Sequence, residues 1–468
     1  MAKIETAFTP NWLAEPKDVN LVASKVWPKN FSRSPDGDIN FAGISVGQLA
    51  AEYGTPLMVI DKGDFLSRAK NVKAAFDSAA DKIETTAKVY YAGKSLLTTD
   101  IVKWVDSSGL NLDVCSGGEL ALALAGGIEP KRIGLHGNNK SLYEIGKAVT
   151  AGVGAIVIDS EIEIERIASI AGAQEKIQGV RIRVNSGVHA YTHEYLATAR
   201  EDQKFGIAIS DVPGLVAKIR SHSHLEFLGL HSHIGSQIFS VDGFLESVRR
   251  LLPLHKLLLE SGSVPELNLG GGFGINYTEA DEAPDILVFA NQISAEVAIQ
   301  CKELGVPVPV LCFEPGRVIS GPAGVTIYNV GTIKDVQVST NDAVETRKYV
   351  SIDGGMSDNP RPSLYSADYS ALLASRSTSA KPVISRVVGK HCESGDIVVR
   401  DCYLPSDIGP NDLLAVAATG AYCHSLASNY NYLPRPAMVA IQDGKAQLLM
   451  RAETEADMFS RDPGYQTQ

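Results

Sequence analysis

Eight short aliphatic runs, each stopping abruptly at glycine, histidine or a charged residue, punctuate the first two thirds of the chain. They are Val89 to Lys94, Leu110 to Asp113, Arg132 to His136, Ala155 to Asp159, Val180 to Val184, Phe227 to His231, Leu267 to Gly270 and Val308 to Glu314. Runs this short and apolar read as strands buried on both faces. Stretches between them, such as Glu119 to Ala125, Glu161 to Ala171 and Phe244 to Leu259, carry apolar residues at helical spacing. Eight alternating strand and helix units predict an α/β fold of the (β/α)8, TIM-like barrel type, which gathers its chemistry where strands end. Polar residues fall at those ends: Asp113, Ser116 and Glu119 after the second run, His136 after the third, Arg183 on the fifth, His231, His233 and Ser236 after the sixth, and Arg317 after the eighth.

Past Gly321-Pro322 the pattern changes. Val325 to Val330, Lys334 to Val338, Tyr349 to Ile352, Ile384 to Val388 and Asp396 to Val399 are short, often β-branched runs separated by turn residues, the signature of a second, mainly β-strand domain of sandwich or barrel type. The proline-containing first segment does not fit the barrel repeat. The expected organisation is a 1–57 segment joining the β domain, a 58–322 barrel and a 323–468 β domain. The 468 residues leave room for both. A net charge of −11 argues against a nucleic-acid partner. The six cysteines contain no CxxC pair, and no run of 18 apolar residues or N-terminal apolar leader occurs, so a cytoplasmic protein without a membrane partner is expected.

A lysine ending an apolar strand, as Lys94 does, predicts a desolvated ammonium with a lowered pKa, suited to amine chemistry on a carbonyl; a structural salt bridge to Asp113 or Glu314 is the plain alternative. Glu314 ends an equally apolar strand and needs a cation or a protonated ring nitrogen. Gly270-Gly271-Gly272-Phe273-Gly274 lets backbone amides approach a phosphate, although a tight turn would use the same residues. It is not a dinucleotide fingerprint, because Ile275 stands where the last glycine belongs. His231-x-His233 also suits a metal, but no third ligand is evident in that loop, and no metal is expected. His189 and His193, with Tyr191 and Tyr195, lie in a loop with no assigned role. Lysine, phosphate cradle and carboxylate together describe a pyridoxal 5'-phosphate site.

YAGK at 91–94, HSHIGSQ at 231–237, GGGFG at 270–274, EPGR at 314–317, CESGD at 392–396 and GAY at 420–422 carry a family resemblance. In this order they resemble the barrel-fold, fold-type III pyridoxal-phosphate-dependent decarboxylases, most closely their diaminopimelate-decarboxylating branch, over residues of about 40 to 450. The resemblance implies a carboxy-lyase in which Lys94 forms the Schiff base, His233 stacks on the ring and Glu314 keeps the pyridine nitrogen protonated. It places Ser236, Gly271, Gly272, Gly316, Arg317 and Tyr422 around the cofactor, with Asp113 and Arg183 in supporting positions. It also implies Cys392 as proton donor to the product carbon.

For the substrate, the resemblance implies Arg317 or Arg361, Tyr365 and Tyr422 with Glu393 as the groups that read an amino acid bearing both an ammonium and a carboxylate at its far end. Planar guanidinium groups suit bidentate carboxylate binding. A substrate lacking the distal carboxylate leaves an arginine unpaired and is rejected. Decarboxylation of ornithine, lysine or arginine is the alternative within the class, and a non-catalytic regulatory relative the remote one; retention of Lys94 and Cys392 speaks against the latter. Pro360 stands where the family pattern usually has an aliphatic residue, which restricts Asn359 and the entry to the Arg361 loop. The resemblance further implies a homodimer with shared active sites.

Overall fold

A computed structural model describes residues 8–23, 25–188, 204–339 and 344–465. His189, His193, Tyr191 and Tyr195 fall outside the described residues. Contacts divide the chain into two compact units, one of residues 66–274 and 283–319, the other of 1–65, 275–282 and 320–468.

The first unit is a closed parallel barrel. Its strands are Ala87–Ala92, Asn111–Val114, Ile133–Leu135, Ala155–Ile158, Gln178–Asn185, Leu225–His231, Glu266–Asn268 and Val310–Phe313. Each pairs in parallel with the next, and the last closes on the first through Leu311 opposite Ala87. All eight aliphatic runs are strands of this barrel. The helices between them have the caps their sequences announce. Ser141 and Glu144 form a capping box before Leu142–Ala151, and Gly152 ends that helix in the left-handed region. Ser116 caps Gly117–Gly126, so this strand-end hydroxyl satisfies backbone rather than a ligand. Phe76 stacks on Phe313 at 3.9 Å, and Phe244 on Phe273 at 5.2 Å, fastening helices to the strand ends.

Deeper in the barrel, buried Arg181 donates to Glu266 at 2.8 Å and to the Tyr90 hydroxyl at 2.7 Å, and Lys88 reaches the same Glu266 at 2.5 Å. Burial of that guanidinium is tolerable because a carboxylate and a phenol oxygen face it.

The second unit is mainly β. Its hub is the strand Gly324–Ser339, which pairs antiparallel with Val344–Ile352, Leu413–Ala417 and Leu57–Asp61. The runs 325–330 and 334–338 are therefore one strand, divided by an irregularity between Val330 and Ile333 that interrupts the apolar pattern. Leu57–Asp61 also pairs with Ala437–Gln442, so this strand, on the barrel side of the sequence boundary at 58, belongs to the sheet of the β unit. The N-terminal segment contributes Trp27, Phe31 and Phe41 to the core around Val325, Ala415 and Val439. No helix among the described residues is long and apolar enough to cross a membrane.

Candidate active site

Where the barrel strands end, the chain places one set of polar groups together. Lys94 sits in a 3₁₀ turn, Gly93–Ser95, directly after its strand. Ser95 fixes that turn by donating to the Ala92 carbonyl at 2.8 Å, and Gly316 packs against it, a Cβ there meeting Ser95 Cβ at 3.1 Å. The turn carries Lys94 out of the strand's apolar surroundings. Its side chain is exposed, which corrects the expectation of a desolvated ammonium. It lies within electrostatic range of Asp113, Glu119 and His233.

Glu314 is the centre of the set. Asn268 Nδ2 donates to its Oε1 at 2.7 Å, His231 Nε2 lies 3.2 Å from its carboxylate, and His136 Nε2 3.4 Å. Asp113 lies 3.2 Å from the same His136 Nε2, and neither of its buried oxygens accepts a hydrogen bond among the described residues. The two carboxyls thus flank one imidazole, and the charge on either raises the cost of charging the other. Burial and the Glu314 charge push Asp113 well above the usual carboxylate range. Burial also pushes Glu314 up, but His231 and His136 overcome it and hold the carboxyl well below its ordinary value. Of the two carboxyls Glu314 is the stronger acid, as its better set of donors requires.

Burial keeps all three histidines neutral at pH 7: it lowers His136 to about 4, lowers His231, and with the Lys94 charge lowers His233 well below its ordinary value. His233 Nδ1 accepts from the Gly271 amide at 3.3 Å, so its proton is on Nε2. His231 directs Nε2 at Glu314, and its Nδ1 has no hydrogen-bond partner among the described residues.

The glycine run is a close-packed cradle. Gly272 has φ +106°, and a Cβ there would stand 2.2 Å from the Gly235 carbonyl oxygen; one on Gly271 would stand 2.0 Å from that of Glu314. No side chain fits either position. Asn268 ties the cradle to Glu314, since its Oδ1 accepts from the Gly270 amide at 2.8 Å. Arg317 donates to Ser236 at 2.8 Å, joining the loops after the sixth and eighth strands. Arg183 lies over the Phe205 ring at 4.2 Å and 3.9 Å from Asp159.

The remaining predicted residues belong to the β unit. Arg361 opens the short helix Arg361–Tyr365 and is buried, while Tyr365 is exposed. Cys392 is an exposed free thiol whose amide donates to Asn431 at 3.0 Å; Glu393 beside it is exposed. Tyr422 is half-buried with φ +64°. One carboxylate stitches two of these loops together. Asp396 accepts from Met356 N at 2.6 Å, from His391 N at 2.8 Å and from His391 Nδ1 at 2.9 Å. Ser363 adds a bond to the Gly395 carbonyl at 2.8 Å. The predicted residues thus form two sets, one on each unit.

Sequence reasoning missed Asn268 and left His136 without a role. An amide inside the run Glu266–Asn268 was the available signal for the first. Of the HxH pair only His231 joins a group of possible metal ligands: His136, His231 and Glu314 offer ligand atoms within 4.8 Å of one another. A cation there would compete with a ring nitrogen for the same Glu314 oxygens. Pyridoxal phosphate fits the barrel residues: an anionic carboxylate for the ring nitrogen, a flat neutral imidazole, a solvent-open lysine, and a glycine loop too tight for side chains.

Residues 67–321 match the family model described as pyridoxal-dependent decarboxylase, pyridoxal binding domain. The diaminopimelate decarboxylase of Mycobacterium bovis is 49% identical over 447 residues, 94% of this chain and 98% of its own length. That of Bacillus subtilis is 39% identical over 435 residues, 92% of this chain and 96% of its own. The crystal structure of diaminopimelate decarboxylase from M. jannaschii in co-complex with L-lysine superimposes with a TM-score of 0.85 at 29% identity, covering 93% of this chain and 98% of that one.

Proposed function

Because the chain belongs to the pyridoxal-dependent decarboxylases, and among them to the diaminopimelate decarboxylases, we propose that it converts meso-2,6-diaminopimelate to L-lysine and carbon dioxide with pyridoxal 5'-phosphate, the last step of lysine biosynthesis. The observation that carries the reading is Glu314, a buried carboxylate kept anionic by Asn268 and His231 at the end of the eighth barrel strand. When bound, the cofactor supplies a protonated ring that accepts the electron pair left as carbon dioxide departs.

In this reading Glu314 would hold the proton at the ring nitrogen, and His233, its tautomer fixed by Gly271, would offer the ring a neutral imidazole. Lys94 would offer its amine to the cofactor carbonyl. The cradle of Gly271, Gly272 and Gly316, with Ser236, Arg317 and Tyr422, receives the phosphate. Asp113 and Arg183 orient these groups. Cys392 delivers a proton to the product carbon, a task suited to an exposed thiol. Arg361, Arg317 and Tyr365 take the distal carboxylate, and Glu393 the distal ammonium.

The same reading has the enzyme act as a cytoplasmic homodimer in which the loop bearing Cys392 and Glu393 completes the partner's site. Mixed dimers of Lys94→Ala and Cys392→Ala chains then recover part of the activity that each variant lacks alone. The function itself is tested by carbon dioxide release from purified holoenzyme given meso-diaminopimelate, lysine or ornithine. Turnover confined to diaminopimelate supports it, and equal turnover of all three overturns it.

A further inference from the structure

Arg361 is only 6% exposed, yet it faces no carboxylate among the described residues. A buried guanidinium is costly without an anion, and this one is held by neutral groups alone. Its Nη1 donates to the Tyr369 hydroxyl at 2.5 Å. Its Cζ lies 4.6 Å from the centre of the Tyr277 ring and 5.5 Å from that of Tyr369, and the two rings meet edge to face at 5.0 Å. Tyr369 is itself 1% exposed, and its hydroxyl lies 3.7 Å from Cys423 Sγ. The Ser370 hydroxyl bonds the Tyr277 carbonyl at 2.9 Å, tying the 275–282 segment to the strand edge that follows Tyr369. Two aromatic faces and one phenol oxygen stabilise the cation without neutralising it. They leave its full charge for an incoming anion, and they hold a flexible side chain in one orientation before that anion arrives.

We propose that Tyr369 and Tyr277 are specificity-determining positioning residues: they form an aromatic box that presents Arg361, uncompensated, to the distal carboxylate of the substrate. The proposal rests on the function given above. Neither tyrosine need touch the substrate. Their contribution is to deny Arg361 an internal counter-ion and the freedom to turn away, so a ligand without a distal carboxylate gains nothing from the box.

The test is Tyr369→Phe in the full-length holoenzyme, which keeps the ring and removes the hydroxyl that orients Arg361. A hydrogen bond to a charged group is worth about tenfold in binding. KM for meso-diaminopimelate should rise about tenfold with kcat changed less than about threefold, and inhibition by cadaverine, the diamine that lacks the distal carboxylate, should be unaltered. Cofactor absorbance and the unfolding midpoint are measured beside it. An unchanged KM, or equal weakening of diaminopimelate and cadaverine, overturns the proposal. If Tyr369→Phe does not yield folded protein, Tyr277→Leu carries the same prediction through loss of the cation–π face, with the same two overturning results. Wild-type enzyme inactive on diaminopimelate would sink the function and this inference together; active wild type with an indifferent variant sinks the inference alone.

Discussion

Replacing Asn268 by leucine tests whether Glu314 works as an anion set up by its neighbours. Asn268 is fully buried; it donates to Glu314 Oε1 at 2.7 Å and accepts from the Gly270 amide at 2.8 Å. Leucine occupies a similar volume and can do neither. Losing a donor to a carboxylate costs about 1.5–3 kcal/mol, which at 1.36 kcal/mol per unit is a rise of about one to two pKa units. Burial already pushes the Glu314 carboxyl up, and His231 and His136 hold it well below its ordinary value. The variant weakens that hold. A carboxyl with a depressed folded pKa stabilises the protein above its unfolded pKa and loses that contribution as pH falls through the folded value, so the acid loss moves to higher pH. The acid limb of kcat/KM for diaminopimelate that belongs to Glu314, followed from pH 7 down to the acid-unfolding edge, should shift up by about one to two units. The Gly270 amide left without an acceptor should lower stability by about a further 1–3 kcal/mol in urea unfolding. A lower unfolding midpoint with an unmoved acid limb would refute the electrostatic role and leave Asn268 a structural residue.

Glu266→Gln should cost about 3–5 kcal/mol in denaturant unfolding, because buried Arg181 loses its only carboxylate among the described residues; the double variant Arg181→Met/Glu266→Leu should cost less, and equal costs would refute an uncompensated charge. His255 is buried and pushed down to about 4 by burial, so the unfolded chain binds its proton first and stability falls between about pH 6.5 and 4. His255→Leu should flatten that part of the stability curve, and an identical slope in the variant would show that His255 is not its source. Gly272→Ala should weaken cofactor binding at least tenfold by absorbance titration, since its Cβ would stand 2.2 Å from the Gly235 carbonyl oxygen; wild-type affinity would mean the loop yields freely. Asp396→Ala removes the acceptor shared by Met356 and His391 and should lower kcat about tenfold or more while leaving cofactor absorbance intact, a loss of absorbance being the contrary result.

The barrel was legible because its strands are buried on both faces and end where the chain must turn: the alternation of aliphatic run and polar stop is itself the fold's geometry. The same rule located Glu314, His233, Ser236 and the glycine cradle, each within a few residues of a strand end. It misjudged Lys94, because a strand end does not say which way the next turn faces, and the 3₁₀ turn faces it outward. It also passed over Asn268, whose amide stands in an otherwise apolar run and acquires meaning only when strands distant in sequence bring Glu314 and Gly270 to its two ends. Arg361 shows the limit most clearly. Its neighbours Pro360 and Pro362 announce a loop but not what encloses it, which is Tyr277, more than 80 residues earlier, and Tyr369. A motif records the groups that meet the substrate, whereas the residues that hold those groups ready are recorded only by the contacts of the folded chain. Changing such a residue alters selectivity while leaving every motif intact, and Tyr277 and Tyr369, which lie outside all six motifs, are such residues.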